Sequence, residues 1–358
     1  MDMAALGTLV FGLVLLVAGA EVFVRGASQL AVLLGVAPLI IGLTIVAYGT
    51  SAPEMAVSLQ SGFNPNAVGI SIGNVVGSNI CNVLFILGTS AMIAPLIVAQ
   101  QLVKLDVPIM IGVSLLLVLL AQDGNLGRLD GMLLLIGAVI YTVFLFSQGR
   151  EDDAEDYDPE EARKQRSSMG IWGLNIALIA LGGAMLTFGS SFFVNGAVKI
   201  AQYLGLSNLI IGLTIVALGT SLPEAATSVV ASMKGERDIA VGNVVGSNIF
   251  NILAVLGVAG IFSPTGIEVS AAALNFDIPV MVAVAIACLP IFFSGNVISR
   301  WEGIVFLAYY IAYVGYVILD ATEHDSLPIY SGVLATFVIP LTVITLFIIV
   351  ARELRKQA

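Results

Sequence analysis

Charged residues are scarce in this chain: only 11% of its 358 residues are Asp, Glu, Lys or Arg. A typical soluble domain has about 25%, so the shortage excludes a water-soluble enzyme. The chain has one histidine and two cysteines, too few to indicate a zinc site or a disulfide framework. It has 14 basic against 24 acidic residues, and this lack of positive charge argues against nucleic-acid binding.

Apolar residues dominate instead: they make up 58% of the chain, and the mean hydropathy is +1.03. They come in runs of about twenty residues, the length that crosses a bilayer as a helix. We therefore predict an all-α polytopic membrane protein, whose first segment is retained because no basic, cleavable signal precedes it. Eleven helices are expected, near 4–34, 38–62, 66–92, 103–121, 128–147, 169–203, 208–233, 238–262, 276–294, 301–319 and 328–351.

Basic residues predict the orientation of these helices, because Lys and Arg of short loops collect on the cytoplasmic side. If the N-terminus lies outside, eleven of the fourteen fall in inward loops or the C-terminal tail, and only Arg128 lies outside. Arg25 and Lys199 remain within helices, and the sequence assigns them no role. The pattern predicts a multi-pass plasma membrane protein with a cytoplasmic central linker and a cytoplasmic tail.

Two parts of the chain are near copies of each other. Residues 39–51 read LIIGLTIVAYGTS and residues 209–221 read LIIGLTIVALGTS. Residues 73–82, GNVVGSNICN, likewise match residues 242–251, GNVVGSNIFN. The copies are five predicted helices apart, and an odd number of crossings makes them run through the bilayer in opposite directions. We predict an inverted repeat, the architecture of many secondary transporters.

The predicted repeats divide the chain into four parts. The central part is an acidic linker that lacks the glycine and terminal Glu of an EF-hand loop, although a weak regulatory cation site there stays possible on sequence grounds. The last part holds an external loop with the single histidine, His324, then an extra helix and a basic tail. The predicted bounds are 1–147 for the first five-helix repeat (motif region 39–88), 148–168 for the linker, 169–320 for the second repeat (motif region 209–257) and 321–358 for the last part.

Each copy places a proline and a glutamate in mid-membrane, in GTSAPE and in GTSLPE. Proline breaks the helix there, which frees carbonyls near Ala47 and Ala217 to line a polar site. Ser51 and Glu54 also have the spacing of a capping box, and we expect that geometry to contribute. Capping alone does not justify two charges that cost about 2.5–3.5 kcal/mol each at this depth. We therefore predict that Glu54 and Glu224 form a functional carboxylate pair facing each other across the repeat axis.

The second motif adds neutral oxygen ligands. Ser78 and Asn82 are spaced i, i+4, as are Ser247 and Asn251, so each pair projects from one helix face. An all-oxygen set of this kind suits Ca²⁺ or Na⁺ and not zinc or copper. The set is completed by the hydroxyls of Thr50, Ser51, Thr220 and Ser221 and by the freed carbonyls. Small-residue spacing predicts close helix packing at Gly69, Gly73, Gly77, Gly242 and Gly246.

These motifs resemble the two α-repeats of the cation/calcium exchanger superfamily, most closely those of its sodium/calcium exchanger branch. The resemblance implies that Glu54 and Glu224 bind calcium directly and also contact sodium. It further implies that Asn82 and Asn251 close the middle of the site. The flanking sodium sites would be lined by Thr50, Ser51, Thr220, Ser221, Ser78, Ser247 and the carbonyls of Ala47 and Ala217.

The resemblance implies antiport of Na⁺ against Ca²⁺ by alternating access, electrogenic if a third sodium binds, with no cofactor, no catalytic reaction and no obligatory protein partner. Potassium cotransport is disfavoured, because potassium-dependent relatives have Asp where this chain has Asn251. A proton/calcium antiporter that uses the same glutamates remains the nearest alternative. A cation channel and a membrane-embedded hydrolase are further alternatives, and the chain has no HExxH motif for the latter.

Overall fold

The computed structural model describes residues 3–63, 69–148 and 169–357, so most of the acidic linker lies outside the described residues. The described chain is helical apart from turns and four two-residue strands. We number the helices α1 to α11 in chain order. Their bounds are Met3–Leu34 (α1), Pro38–Thr50 with Ala52–Gly62 (α2), Ile70–Ile93 (α3), Leu102–Asp123 (α4), Arg128–Gln148 (α5), Met169–Tyr203 (α6), 208–219 with Leu222–Lys234 (α7), Arg237–Phe262 (α8), Ala273–Phe293 (α9), Arg300–Ala321 (α10) and Leu327–Ile349 (α11), the last continuing as helix to Gln357.

The number of membrane crossings is the first point on which structure and sequence can be compared. Within the described residues, nine single helices are long and apolar enough to cross a membrane, and α2 makes a tenth crossing from two halves bent by 45°. The structure therefore supports nine to ten crossings, where the sequence predicted eleven. The difference is α7, which is helical in the predicted place but is divided at Thr220 and Ser221, so that neither half is long enough alone.

Short strands join the two repeats and were not predicted. β1 (Leu96–Ile97) pairs antiparallel with β4 (Val297–Ile298), and β2 (Asn125–Leu126) pairs antiparallel with β3 (Ile267–Glu268). Each pair links a loop of the first repeat to a loop of the second. Two residues are too few to show the alternating pattern by which a strand is recognised in a sequence.

Helices α1 and α6 pack against each other through glycines. A β-carbon on Gly12 would lie 2.3 Å from the backbone nitrogen of Phe193, and one on Gly182 would lie 2.6 Å from that of Phe23. Backbones that approach this closely leave no room for a side chain, which is the packing that small residues permit between membrane helices. The longest two helices of the protein are thereby held backbone to backbone.

The glycines that the sequence singled out for close packing behave differently in the two repeats. A β-carbon on Gly246 would lie 2.6 Å from the Leu43 carbonyl oxygen, and one on Gly242 would lie 3.1 Å from that of Leu39. At Gly69, Gly73 and Gly77 no described atom comes within 4 Å of such a carbon. The prediction is thus confirmed in α8 and wrong in α3, because the first half of α7 approaches α3 near residues 217–219 without covering these glycines.

We expect Gly12→Ala to destabilise the protein, because its methyl group would overlap the α6 backbone. Overpacking of this kind costs about 1–3 kcal/mol, which corresponds to a fall of roughly 5 °C in the melting temperature of the purified protein. Gly7→Ala on the same helix is the matched control, since open space surrounds that position. Equal melting temperatures for the two variants would contradict the packing described.

Candidate ion-binding site

The polar site lies where α2 and α7 are broken. The second half of each helix begins directly after Ser51 or Ser221, whose ψ angles of 10° and 4° leave the helical range. Proline occupies the first turn of both halves, and Glu54 and Glu224 follow it there. Both glutamates are 0% exposed. The positive ends of two short helices therefore meet two buried carboxylates, an arrangement that favours negative charge.

The serines do not cap their own helices, so the capping-box prediction is wrong. Ser51 Oγ instead donates to Glu224 Oε1 at 2.9 Å, and Ser221 Oγ donates to Glu54 Oε1 at 3.3 Å. In a cap the serine hydroxyl would accept from a backbone N–H of its own helix, whereas here it donates to a carboxylate, and a hydrogen bond to a charged acceptor is the stronger one. Each repeat thus supplies a hydroxyl to the glutamate of the other, and this links the two glutamates in one cluster.

Ser78 joins this cluster, whereas its repeat partner does not. Ser78 Oγ donates to Glu54 Oε1 at 3.2 Å and accepts from Ser221 Oγ at 3.0 Å. Ser247 is equally buried, but its Oγ has no hydrogen-bond partner within the described part of the chain. The second half of the site therefore keeps a hydroxyl available for another ligand.

Several oxygens of the predicted ligand set are buried and have no hydrogen-bond partner within residues 3–63, 69–148 and 169–357. Removing an oxygen from water without a replacement partner costs about 1–3 kcal/mol, so each such atom calls for an explanation. Among the described residues no group of three or more His, Cys, Asp and Glu could hold a metal, which leaves neutral oxygens to complete any coordination shell. A hard cation fits that chemistry. The atoms are Glu54 Oε2, Glu224 Oε2, Asn82 Oδ1, Asn251 Oδ1 and Ser247 Oγ.

The predicted free carbonyl at Ala47 is not free. It accepts from the Ser51 backbone N–H at 3.1 Å and from Thr50 Oγ1 at 3.4 Å, because helical bonding continues up to Ser51 before the chain turns. In the second repeat the Ser221 N–H bonds to the Leu218 carbonyl instead, at 3.2 Å. The ligand role of Ala217 stays a prediction.

Two asparagines that the sequence reasoning missed support the glutamate-bearing helices. Asn74 Nδ2 donates to the Glu54 backbone carbonyl at 3.1 Å, and Asn243 Nδ2 donates to that of Glu224 at 3.3 Å. Their side-chain oxygens accept from the predicted ligands Thr220 (3.4 Å) and Thr50 (3.1 Å). Both asparagines follow the first glycine of the duplicated GNVVGSN motif, so their exact repetition is the signal that could have identified them.

The surroundings of the site differ on the two sides of the molecule. Ala47 is buried and Thr50 is 1% exposed, whereas their repeat partners Ala217 and Thr220 are exposed and half-buried. The first half of α2 packs onto α8, but the first half of α7 leaves the glycine face of α3 uncovered. The site is therefore closely packed on the α2 side and less completely covered on the α7 side, while the glutamates themselves stay buried.

An aromatic contact occupies the closely packed side. The rings of Tyr48 and Phe250 lie 3.8 Å apart between centroids, and the Tyr48 hydroxyl is 3.3 Å from Thr142 Oγ1. Tyr48 and Phe250 stand where the duplicated motifs differ, opposite Leu218 and Cys81 in the other copy. The two residues at which the first and second motif copies differ, Tyr48 and Phe250, therefore contact each other on the α2 side of the site.

Comparison with known proteins places these features in a family. The family described as "Sodium/calcium exchanger protein" matches the chain over residues 4–147 and 174–319. The chain belongs to this family. Because the family is one of transporters, the protein is not an enzyme, and the resemblance predicted from the two motifs is confirmed.

Individual relatives agree with the family over most of their length. The sodium/calcium exchanger MaX1 of Methanosarcina acetivorans is 34% identical, with 86% of this chain and 96% of MaX1 covered. The inner membrane protein YrbG of Escherichia coli is 37% identical, with 80% and 88% covered. The structure of the sodium-calcium exchanger NCX_Mj soaked with Na⁺ and Ca²⁺ matches with a TM-score of 0.74 at 33% identity, over 88% of this chain and 99% of that one. The chain is accordingly similar to exchangers in both sequence and fold.

The unequal exposure of the two repeats can be tested with introduced cysteines. In detergent, Thr220→Cys should react rapidly with a small hydrophilic thiol reagent, and Thr50→Cys should react at least tenfold more slowly, because Thr220 is half-buried and Thr50 is 1% exposed. The parent protein is the control, since Cys81 and Cys288 are 2% and 1% exposed. Equal labelling rates would show that the two sides are equally open in solution.

Proposed function

We propose that the protein is a secondary antiporter that exchanges Na⁺ for Ca²⁺ across the plasma membrane by alternating access. One observation carries the proposal: Glu54 and Glu224, both 0% exposed, accept from serines of opposite repeats, and the same duplicated motifs bury neutral oxygens that have no hydrogen-bond partner among the described residues. The relatives MaX1 and NCX_Mj are named as sodium/calcium exchangers, which supports the same assignment.

The exchange rule follows from charge. Two ionised carboxylates give the ion-free site a charge of −2, and an occluded state with that charge is unfavourable by several kcal/mol in a low-dielectric region. One Ca²⁺ or two Na⁺ cancel the charge, so either loaded form can pass through the occluded state. The ion-free form cannot, and the protein therefore exchanges ions instead of leaking them.

The proposed ligands are those named from the sequence. Glu54 and Glu224 would bind Ca²⁺ together with Asn82 and Asn251, whose buried amide oxygens have no hydrogen-bond partner in the described part of the chain. The hydroxyls of Thr50, Ser51, Ser78, Thr220, Ser221 and Ser247, with the carbonyl of Ala217, would serve the sodium sites. The Ala47 carbonyl is left out of this set, because it already accepts two hydrogen bonds. A third sodium would make the cycle electrogenic, and Asn251, as a neutral amide, favours independence from K⁺.

The less covered side of the site supports an outward-facing conformation. With the N-terminus outside, the first half of α7 starts at the external surface, and that half covers the site less completely than the first half of α2 does. The first half of α2 starts at the cytoplasmic surface, where it packs on α8. Alternating access would exchange these two packings, with residues 1–147 and 169–320 acting as the two repeats.

Neutralising either glutamate should abolish transport without unfolding the protein. We expect Glu54→Gln and Glu224→Gln to lower sodium-driven ⁴⁵Ca²⁺ uptake into proteoliposomes by at least a hundredfold, because the amide removes a charge that Ca²⁺ requires. Glu268→Gln, at an exposed strand residue, is the matched control and should transport normally. Full activity in both site variants would refute the paired-carboxylate assignment.

The coupling ion separates sodium/calcium from proton/calcium exchange. An outward sodium gradient at constant pH should drive Ca²⁺ uptake into vesicles, and an equivalent proton gradient without sodium should not, because the site holds more hydroxyl and amide oxygens than two protons need. Uptake driven by the proton gradient alone would favour the proton antiporter. The rate of sodium-driven Ca²⁺ uptake can also be measured in the same vesicles at membrane potentials set with valinomycin. A rate that changes with the potential shows that the exchange is electrogenic.

A further inference from the structure

Asn79 and Asn248 occupy the point where α3 and α8 cross. They are 2% and 3% exposed and precede the proposed ligands Asn82 and Asn251 by three residues. Asn79 Nδ2 donates to the backbone carbonyl of Asn248 at 3.0 Å, and Asn248 Nδ2 donates to that of Asn79 at 3.4 Å. Each asparagine is therefore held by the helix of the other repeat.

The partners of these amides fix which end is nitrogen. A backbone carbonyl can only accept a hydrogen bond, and a thioether sulfur is likewise an acceptor. Asn79 Nδ2 lies 3.6 Å from Met281 Sδ, and Asn248 Nδ2 lies 3.5 Å from Met110 Sδ. A flipped amide would turn its oxygen towards two acceptors, so only one orientation of each side chain is compatible with the crossing.

The fixed oxygens then orient the next pair of amides. Asn79 Oδ1 accepts from Asn251 Nδ2 at 3.0 Å, and Asn248 Oδ1 accepts from Asn82 Nδ2 at 3.0 Å. Because the NH₂ groups of Asn251 and Asn82 donate these hydrogen bonds, the Oδ1 atoms of the same two side chains point away from Asn79 and Asn248. Those two oxygens are buried and have no hydrogen-bond partner among the described residues.

We propose that Asn79 and Asn248 are positioning residues that make the amides of Asn251 and Asn82 present oxygen, and not NH₂, to the transported cation. Asn79 acts on Asn251, and Asn248 acts on Asn82. The inference rests on the proposed function, because it takes Asn82 and Asn251 as ion ligands. An NH₂ group turned towards Ca²⁺ would remove a ligand and add a repulsive dipole.

This asparagine layer has the same pattern of partners in both repeats, although its two backbone contacts are 3.0 and 3.4 Å and the rest of the site is less symmetric. The two oxygen contacts are both 3.0 Å, and the two sulfur contacts differ by only 0.1 Å. The layer lies at the crossing of α3 and α8, and the hydrogen bonds described for it involve neither of the first halves of α2 and α7, whose packing differs between the sides. It therefore keeps the amide ligands oriented whichever side of the site is open.

A double-mutant cycle on Ca²⁺ affinity tests the pairing. The Ca²⁺ dissociation constant is measured by calorimetry on the full-length protein in detergent. Asn79→Leu should raise it by about threefold to tenfold, the loss expected for one orienting hydrogen bond. The same change should have no further effect in an Asn251→Ala background and its full effect in an Asn82→Ala background. Asn248→Leu should show the mirrored pattern, and a merely structural role would not distinguish the two backgrounds.

Controls separate orientation from packing and from failure of the site itself. Met281→Leu keeps the volume and the orienting carbonyl, so its affinity should stay within about twofold of the parent; a loss as large as that of Asn79→Leu would count against orientation. Asn79→Ala and Asn248→Ala replace the leucine variants if melting curves show that those do not fold. Equal losses in both backgrounds would overturn the inference, whereas unchanged affinity in Asn82→Ala and Asn251→Ala would overturn the proposed ligand set.

Discussion

The structure depends on the burial of two carboxylates, Glu54 and Glu224, that receive no basic side chain as a partner among the described residues. Serine hydroxyls and helix N-termini satisfy part of their demand for hydrogen-bond donors, but hydroxyl groups cannot cancel two charges in a low-dielectric region. The remaining demand is for positive charge from outside the protein. Broken helices, neutral oxygens and a less completely covered side are all explained by the need to admit that charge and then enclose it.

The site belongs to neither repeat alone. Serines, asparagines and strands of each repeat contact the other, so the hydrogen bonds that orient the ligands cross the boundary between the two halves. The contacts that the two repeats make are not equal everywhere. They differ at the first halves of α2 and α7, and they are alike at the crossing of α3 and α8.

Near-identical sequences adopt two packings in this molecule. Gly246 lies against the backbone of Leu43, whereas the corresponding Gly77 has no described atom within 4 Å of its missing side chain. Local preferences of the motifs cannot cause this difference, because the motifs are almost the same. The exceptions, Tyr48 and Phe250, pack together on the α2 side and give that side an aromatic contact that Leu218 and Cys81 cannot form.

The sequence by itself determined the features that follow from hydrophobic length and exact repetition: a membrane-embedded helical fold, two repeats, helix breaks at the prolines, and glutamates at those breaks. Each of these arises from local chemistry, which a linear pattern records. Only the tertiary structure decided that Ser51 bonds to Glu224 instead of capping its own helix, that the Ala47 carbonyl stays bonded, and that the motif glycines pack in α8 but not in α3. It also brought Asn79 and Asn248 together. These outcomes depend on contacts between segments far apart in the chain and on which side of the site is closely packed. Two nearly identical motifs contain no local signal for the long-range contacts or for the difference between the sides.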